Sequence, residues 1–224
     1  MTMKSIYQFL LLASFLVLTS ACASMSTLQT GRTLKPGEAQ STFGGGIFQS
    51  SEIATKNAAG VTNNSVQLSL PYLEYTYRQG INDKFDAGFK ATLIGTLSVD
   101  AKYSLYADEK FAAAVGLGAG YMSYSADAGA GEKNEYKIID VMLPFILSYD
   151  FTPKISAYTS PRYLQRTISG ASSSSTGLAG AAIGLKLGQT SGAFVEVASY
   201  KDTSSSYGMT QANFSWFWAP STWF

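Results

Sequence analysis

From about Gln40 onward, apolar and polar residues alternate with a period of two, the spacing that places successive side chains on opposite faces of a strand. The alternation falls into ten segments: 39–50, 68–81, 85–95, 96–106, 111–125, 137–151, 155–168, 178–188, 193–202 and 209–218. A tilted strand needs ~9–11 residues to cross a bilayer, and each segment is long enough. In 137–151 one phase reads Ile139, Val141, Leu143, Phe145, Leu147, Tyr149 and Phe151, while Asp140, Ser148 and Asp150 fall in the other. In 96–106, Leu97, Val99, Ala101, Tyr103 and Leu105 oppose Ser98, Asp100, Lys102 and Ser104. Charges are expected to keep to a single phase in every segment. A Lys or Arg facing lipid at mid-depth costs ~2–4 kcal/mol, so the bias has a physical cause. The pattern predicts an all-β fold, a closed antiparallel up-and-down transmembrane β-barrel of about ten strands within residues 39–224.

The separators alternate in length. Asn82-Asp83-Lys84, Asp108-Glu109-Lys110, Thr152-Pro153-Lys154 and Gln189-Thr190-Ser191-Gly192 are short and polar, as tight hairpins require. Between them lie longer stretches, 51–67, 126–136, 169–177 and 203–208. The junction at Gly95-Thr96 breaks the series by being short. Outer-membrane barrels place short turns on the periplasmic side and long loops outside. With an even strand count, both ends of the barrel are then expected to be periplasmic.

The inward phase collects Glu74, Asp86, Asp100, Asp140, Asp150 and Glu196 against Arg78, Lys90, Lys102, Arg162, Arg166 and Lys186. Buried charges need partners. These twelve therefore read as a salt-bridged filling or as a charged constriction that selects solutes. In 111–125 the inner phase is Ala112, Ala114, Gly116, Gly118 and Gly120, and in 178–188 it is Gly180, Ala182, Gly184 and Gly188. Such small walls leave room for long side chains (Arg162, Arg166, Tyr106 or Tyr158) or for a narrow water path. Tyr72, Tyr121, Tyr124, Tyr149, Phe151, Tyr163, Tyr200, Trp216 and Trp218 are candidates for interfacial girdles. Pro71, Pro144 and Pro161 each remove a ladder donor, which points to local irregularities.

Composition narrows the classes. The 224 residues carry 14% charged side chains and a net charge of +1, and no basic stripe suggests nucleic acid. The chain has no His and one Cys. A triad-type base needs a pKa near working pH, which His supplies, so hydrolases and acyltransferases built on His are disfavoured and no catalytic residue is expected. Asp140 and Asp150 lie ten positions apart on one strand, roughly 33 Å at ~3.3 Å per residue, too far to act together. No metal cluster or cofactor is indicated; Asp127, Glu132 and Glu135 read as solvated loop residues. Gly44-Gly45-Gly46 lies in a strand pattern with no helix after it and is no phosphate loop.

Residues 1–21 have the build of a signal peptide: Lys4, an apolar run from Ile6 to Leu18, then small residues. Leu18-Thr19-Ser20-Ala21-Cys22 resembles the lipobox of bacterial lipoproteins, with Thr19 where that family prefers Leu. The resemblance implies acylation of Cys22 as the first mature residue; the alternative is an ordinary signal peptide with an unmodified cysteine. Residues 22–38 then read as a lipidated tether leading to the first strand.

The C-terminal run Phe214, Trp216, Trp218 and the closing Phe224 resembles bacterial outer-membrane β-barrel proteins, in which such an ending is read by the barrel-assembly machinery. Ala219-Pro220-Ser221-Thr222 interrupts the alternation. The resemblance implies a small porin-like protein whose partners are outer-membrane lipids, the assembly machinery and small solutes. Two functions stand: passage of small solutes through a narrow charged lumen, or a non-conducting structural or interaction barrel with partner-binding extracellular loops.

Overall fold

The computed structural model describes residues 25–50, 53–56, 62–66, 69–93, 95–129, 132–170, 173–205 and 207–220, the side chains of 53–66 and 124–134 excepted. Its strands are β1 (Ala39–Ser50), β2 (Ile53–Lys56), β3 (Thr62–Val66), β4 (Ser69–Asn82), β5 (Phe85–Thr92), β6 (Leu97–Ala107), β7 (Phe111–Gly129), β8 (Glu132–Thr152), β9 (Ile155–Ser169), β10 (Ser174–Gly188), β11 (Ser191–Asp202) and β12 (Gly208–Trp218). Ten of them close a barrel, with neighbours following chain order and β1 pairing β4 on one side and β12 on the other. The closing ladder runs antiparallel from Ser41 opposite Trp218 to Ser50 opposite Met209. β2 and β3 form a separate hairpin within the β1–β4 connection, which the sequence pattern left as a plain loop.

Closure pairs both edges of each of the ten barrel strands, a necessity in hydrocarbon. The outer wall is apolar: Ile47, Leu97, Val99, Leu117, Ile183, Val197 and Phe214 are all more than half exposed. Lys137 and Lys201 take the outward phase, against the expected single-phase rule. They sit opposite Ser169 and Gly208, the loop-end termini of β9 and β12, where a long cation reaches the polar interface.

The end with the connections at 83–84, 108–110, 153–154 and 189–190 is termed the turn end, and the opposite one the loop end. At the loop end β7 and β8 outrun the expected limits of 125 and 137. Ser125 pairs Glu135 and Asp127 pairs Lys133, so much of the expected loop 126–136 continues the hairpin. A ladder already in register needs no alternation to continue beyond the hydrocarbon. The Gly95 junction stays tight, with Gly95 at φ 91° donating to the Thr92 carbonyl, a conformation that favours glycine. Pro144 is the irregularity its chemistry predicts. The β7–β8 ladder skips between Val115–Phe145 and Gly118–Met142, and a Cβ on Gly116 would stand 2.8 Å from the proline Cγ.

Three aromatic assignments are corrected. Tyr72 and Tyr200 are buried inside the barrel and belong to no girdle. They share parity with Glu74 and Glu196, so the inward phase had already claimed them. Tyr106 faces outward, because a register shift between Ser104 and Tyr106 turns the strand over.

Candidate functional site: the lumen and the segment inside it

The expected tether does not run outside the barrel. Residues 25–34 lie in the lumen, and Met25, Ser26, Thr27, Leu28 and Gly31 are buried there. The entry is at the turn end, where Gly37 N–H donates to the Gly80 carbonyl, Gly80 N–H to the Glu38 carbonyl, and Thr33 Oγ1 to the Asp83 carbonyl. From there the chain climbs past Ser148, whose Oγ accepts from Gly31 N–H at 3.1 Å, towards the loop end. Met25 packs into a cluster with Phe48, Tyr72, Leu164, Leu178, Tyr200 and Met209. Leu28 packs with Tyr158, Phe194 and Phe217.

This segment joins no ladder, so its main chain must be satisfied by side chains of the wall. Gln211 Oε1 accepts from Met25 N–H at 3.2 Å, and the Met25 carbonyl accepts from Arg162 Nη1 at 2.6 Å and Tyr200 OH at 3.0 Å. Lys90 Nζ donates to the Ser26 carbonyl at 2.8 Å, and Ser26 Oγ donates to Glu74 at 2.6 Å. Lys102 Nζ donates to the carbonyls of Thr30 and Arg32 at 3.0 and 2.7 Å. Asp86 accepts from Leu34 N–H at 3.1 Å, and Arg32 pairs with Asp150.

Glu196 is the centre of the contact. Its carboxylate accepts from Thr27 N–H at 2.9 Å and Leu28 N–H at 3.0 Å, as well as from Tyr158 OH at 2.8 Å and Asn213 Nδ2 at 3.0 Å. Leu28 has φ 46°, a left-handed conformation costly for a branched side chain, and there two consecutive N–H groups converge on one anion. Gly31 fits because it lacks a side chain: a Cβ would stand 2.7 Å from the Ala112 carbonyl and 3.1 Å from that of Ile146.

All twelve inward charges face the lumen, but they do not form one network. Arg78 bridges Asp86 and Asp100; Lys102 lies 3.3 Å from Asp86, and Lys90 lies 3.7 Å from Glu74. Arg166 pairs with Asp140 at 2.9 Å. Among the described residues Arg162, Glu196 and Lys186 form no ion pair. Lys186 instead stands 4.8 Å from the centre of the Phe217 ring. The small inner walls have specific occupants: Gly180 abuts the Tyr200 ring, Gly184 the Tyr158 ring, and Ala112 flanks the threaded chain where Gly31 passes.

What remains open is unequal. The turn end holds a vestibule of about 580 Å³, lined in part by Arg32, Glu38, Lys102, Asp150, Lys186 and Phe194. Beyond it a crevice of about 40 Å³ lies between the segment and Thr42, Thr76, Arg78 and Arg162. That holds about three waters at ~10–15 Å³ each. Gln29 Oε1, Thr76 Oγ1 and Arg162 Nε border it without a protein partner, which is the polar setting water needs. No group of three or more potential metal ligands exists among the described residues. Cys22 and Phe224 lie outside the described residues, as do residues 1–21 and the side chains of Tyr124, Asp127 and Glu132. Phe214 and Trp216 project outward from β12, with Trp218 half-buried at its end.

No protein-family model matches the chain, and no curated protein does. Solved structures similar to it include the outer membrane protease OmpT from Escherichia coli, at 12% identity over 85% of this chain and 100% of that one, TM-score 0.44. Neisserial surface protein A follows at 11% identity, 81% and 96% coverage and TM-score 0.39. Ail, the attachment invasion locus protein of Yersinia pestis, aligns at 8% identity, 81% and 99% coverage and TM-score 0.38. Strand count and closure rest on this chain's own ladders.

Proposed function

We propose that this protein is a bacterial outer-membrane barrel shut by its own N-terminal segment, with a structural or interaction role carried by its loop end and without catalysis. The observation that carries the reading is the filled lumen: residues 25–34 leave a 40 Å³ crevice where a solute path would have to pass. The loop end offers a β7–β8 hairpin that extends past the expected membrane span, and a β2–β3 hairpin in the β1–β4 connection. Passage of small solutes is the second reading. It belongs to the barrel with the segment withdrawn, and the 580 Å³ vestibule favours it.

The orientation rule places the turn end in the periplasm and the loop end outside. Assembly is then proposed to use the Phe214, Trp216, Trp218 and Phe224 signal, and an acyl anchor remains proposed on Cys22. Cys22 precedes Met25 by three residues, at most ~11 Å of chain. Its lipid is therefore proposed on the loop-end leaflet, opposite to what a periplasmic tether required.

Planar-bilayer recording of the purified full chain tests the reading. A closed barrel gives no discrete conductance steps; steady steps at low voltage in most insertions overturn it. Mass spectrometry of the mature N-terminus checks the anchor.

A further inference from the structure

We propose that the lumen is a binding site for an extended polypeptide, and that residues 25–34 are its resident, exchangeable ligand rather than part of its wall. The inference deepens the closed-barrel reading and rests on it. Three observations carry it.

The first is the state of the two central charges. Arg162 and Glu196 are buried, at 6% and 1% exposure, and neither has an ionic partner among the described residues. A wall evolved only to fill itself would pair them, since an unpaired buried charge is expensive. Each is completed by the main chain of the segment: Arg162 by the Met25 carbonyl, Glu196 by the N–H groups of Thr27 and Leu28. That is how a peptide site reads a backbone.

The second is that the barrel closes without the segment. All ten ladders are strand to strand, and the segment contributes to none. It is joined to β1 through 35–38, an exposed turn in which Gly37 has φ 80° and nothing within 4 Å of the Cβ position.

The third is selectivity at fixed positions. The wall offers one apolar pocket for Met25 and another for Leu28, three residues on. Three further on, only glycine passes the Ala112 and Ile146 carbonyls, and the next position meets Asp150 with a cation. The occupant is thus an extended peptide with apolar residues at its first and fourth positions, Gly at the seventh and Arg or Lys at the eighth. The occupant is residues 25–34 of this chain, its own or those of a second copy.

The test keeps the full chain. A protease site inserted between Pro36 and Gly37 is cut after folding, with barrel integrity followed by heat-modifiable gel mobility, and a fluorescent peptide spanning residues 23–36 is added. Labelled peptide is expected to enter the nicked barrel and release the resident fragment. Competitor peptides carrying Gly31→Val or Leu28→Asp should be weaker by about tenfold or more. If the labelled peptide never enters the cut barrel, or if altered and scrambled peptides compete as well as the native one, the proposal is overturned. Conductance of the uncut protein tests closure separately, so the two readings fail independently.

Discussion

Two walls of the lumen solve the same electrostatic problem differently. On β4, β5 and β6, Arg78, Asp86, Asp100 and Lys102 compensate one another within the wall. On β9 and β11, Arg162 and Glu196 are compensated by the threaded chain. The first wall closes its ion pairs within itself, although Lys102 and Asp86 also bond the segment, while the charges of the second are met only when it is occupied. Charge balance read from a sequence, six against six, says nothing about which of these holds.

Substitutions on the two walls should therefore separate. Glu196→Ala is expected to have the largest effect. It orphans four donors (Thr27 N–H, Leu28 N–H, Tyr158 OH and Asn213 Nδ2). At ~1–3 kcal/mol for each buried unsatisfied group, partly recovered as the segment leaves, the loss is about 4 kcal/mol. Denaturant unfolding should register it, and hydrogen exchange at Thr27 and Leu28 should accelerate sharply. Arg78→Ala comes next. It strands Asp100 while Asp86 keeps Lys102, a loss of about 3 kcal/mol. Exchange at Thr27 and Leu28 should stay protected in that variant. Equal exchange in the two variants would erase the distinction between the walls.

The smallest effect belongs outside both walls, at the turn-end hairpin of β6 and β7. Asp108 Oδ1 accepts from Phe111 N–H at 2.7 Å and Lys110 N–H at 2.8 Å, and these donors hold its carboxyl below the usual range. A depressed carboxyl pKa stabilises the fold at pH above the unfolded value, near ~3.9. The contribution fades as pH falls through the lower folded value. Asp108→Asn should thus be slightly less stable than wild type at neutral pH, with the difference vanishing in acid. A difference that grows on acidification would contradict this assignment.

The sequence disclosed the strands because lipid enforces parity: a charge on the outer wall is penalised at mid-depth, so Asp140, Lys102 and Arg162 marked the inner face. It disclosed the short turns for the same local reason, Asp108 and Asn82 each capping nearby N–H groups. The threaded segment was illegible. Met25-Ser26-Thr27-Leu28 has no periodicity, and its partners Glu196 and Gln211 lie 169 and 186 positions away. Main-chain recognition leaves no periodicity in the residues recognised, and the few side chains that matter, Met25, Leu28, Gly31 and Arg32, do not keep the period of two that marks a strand. Gly31 was the one local trace, a small residue placed by contact with strands that come more than 80 positions later.

The threaded bore also constrains the order of assembly. Residues 35–38 pin the lower end of the threaded segment at the mouth where β1 begins, while Met25 is held deep in the bore by Gln211, Arg162 and Tyr200. The seam between β1 and β12 shuts around a passage only one extended chain wide. A bulky group carried by the segment itself is too wide for that bore, so the segment has to be laid in while the seam is open or slide in as bare chain.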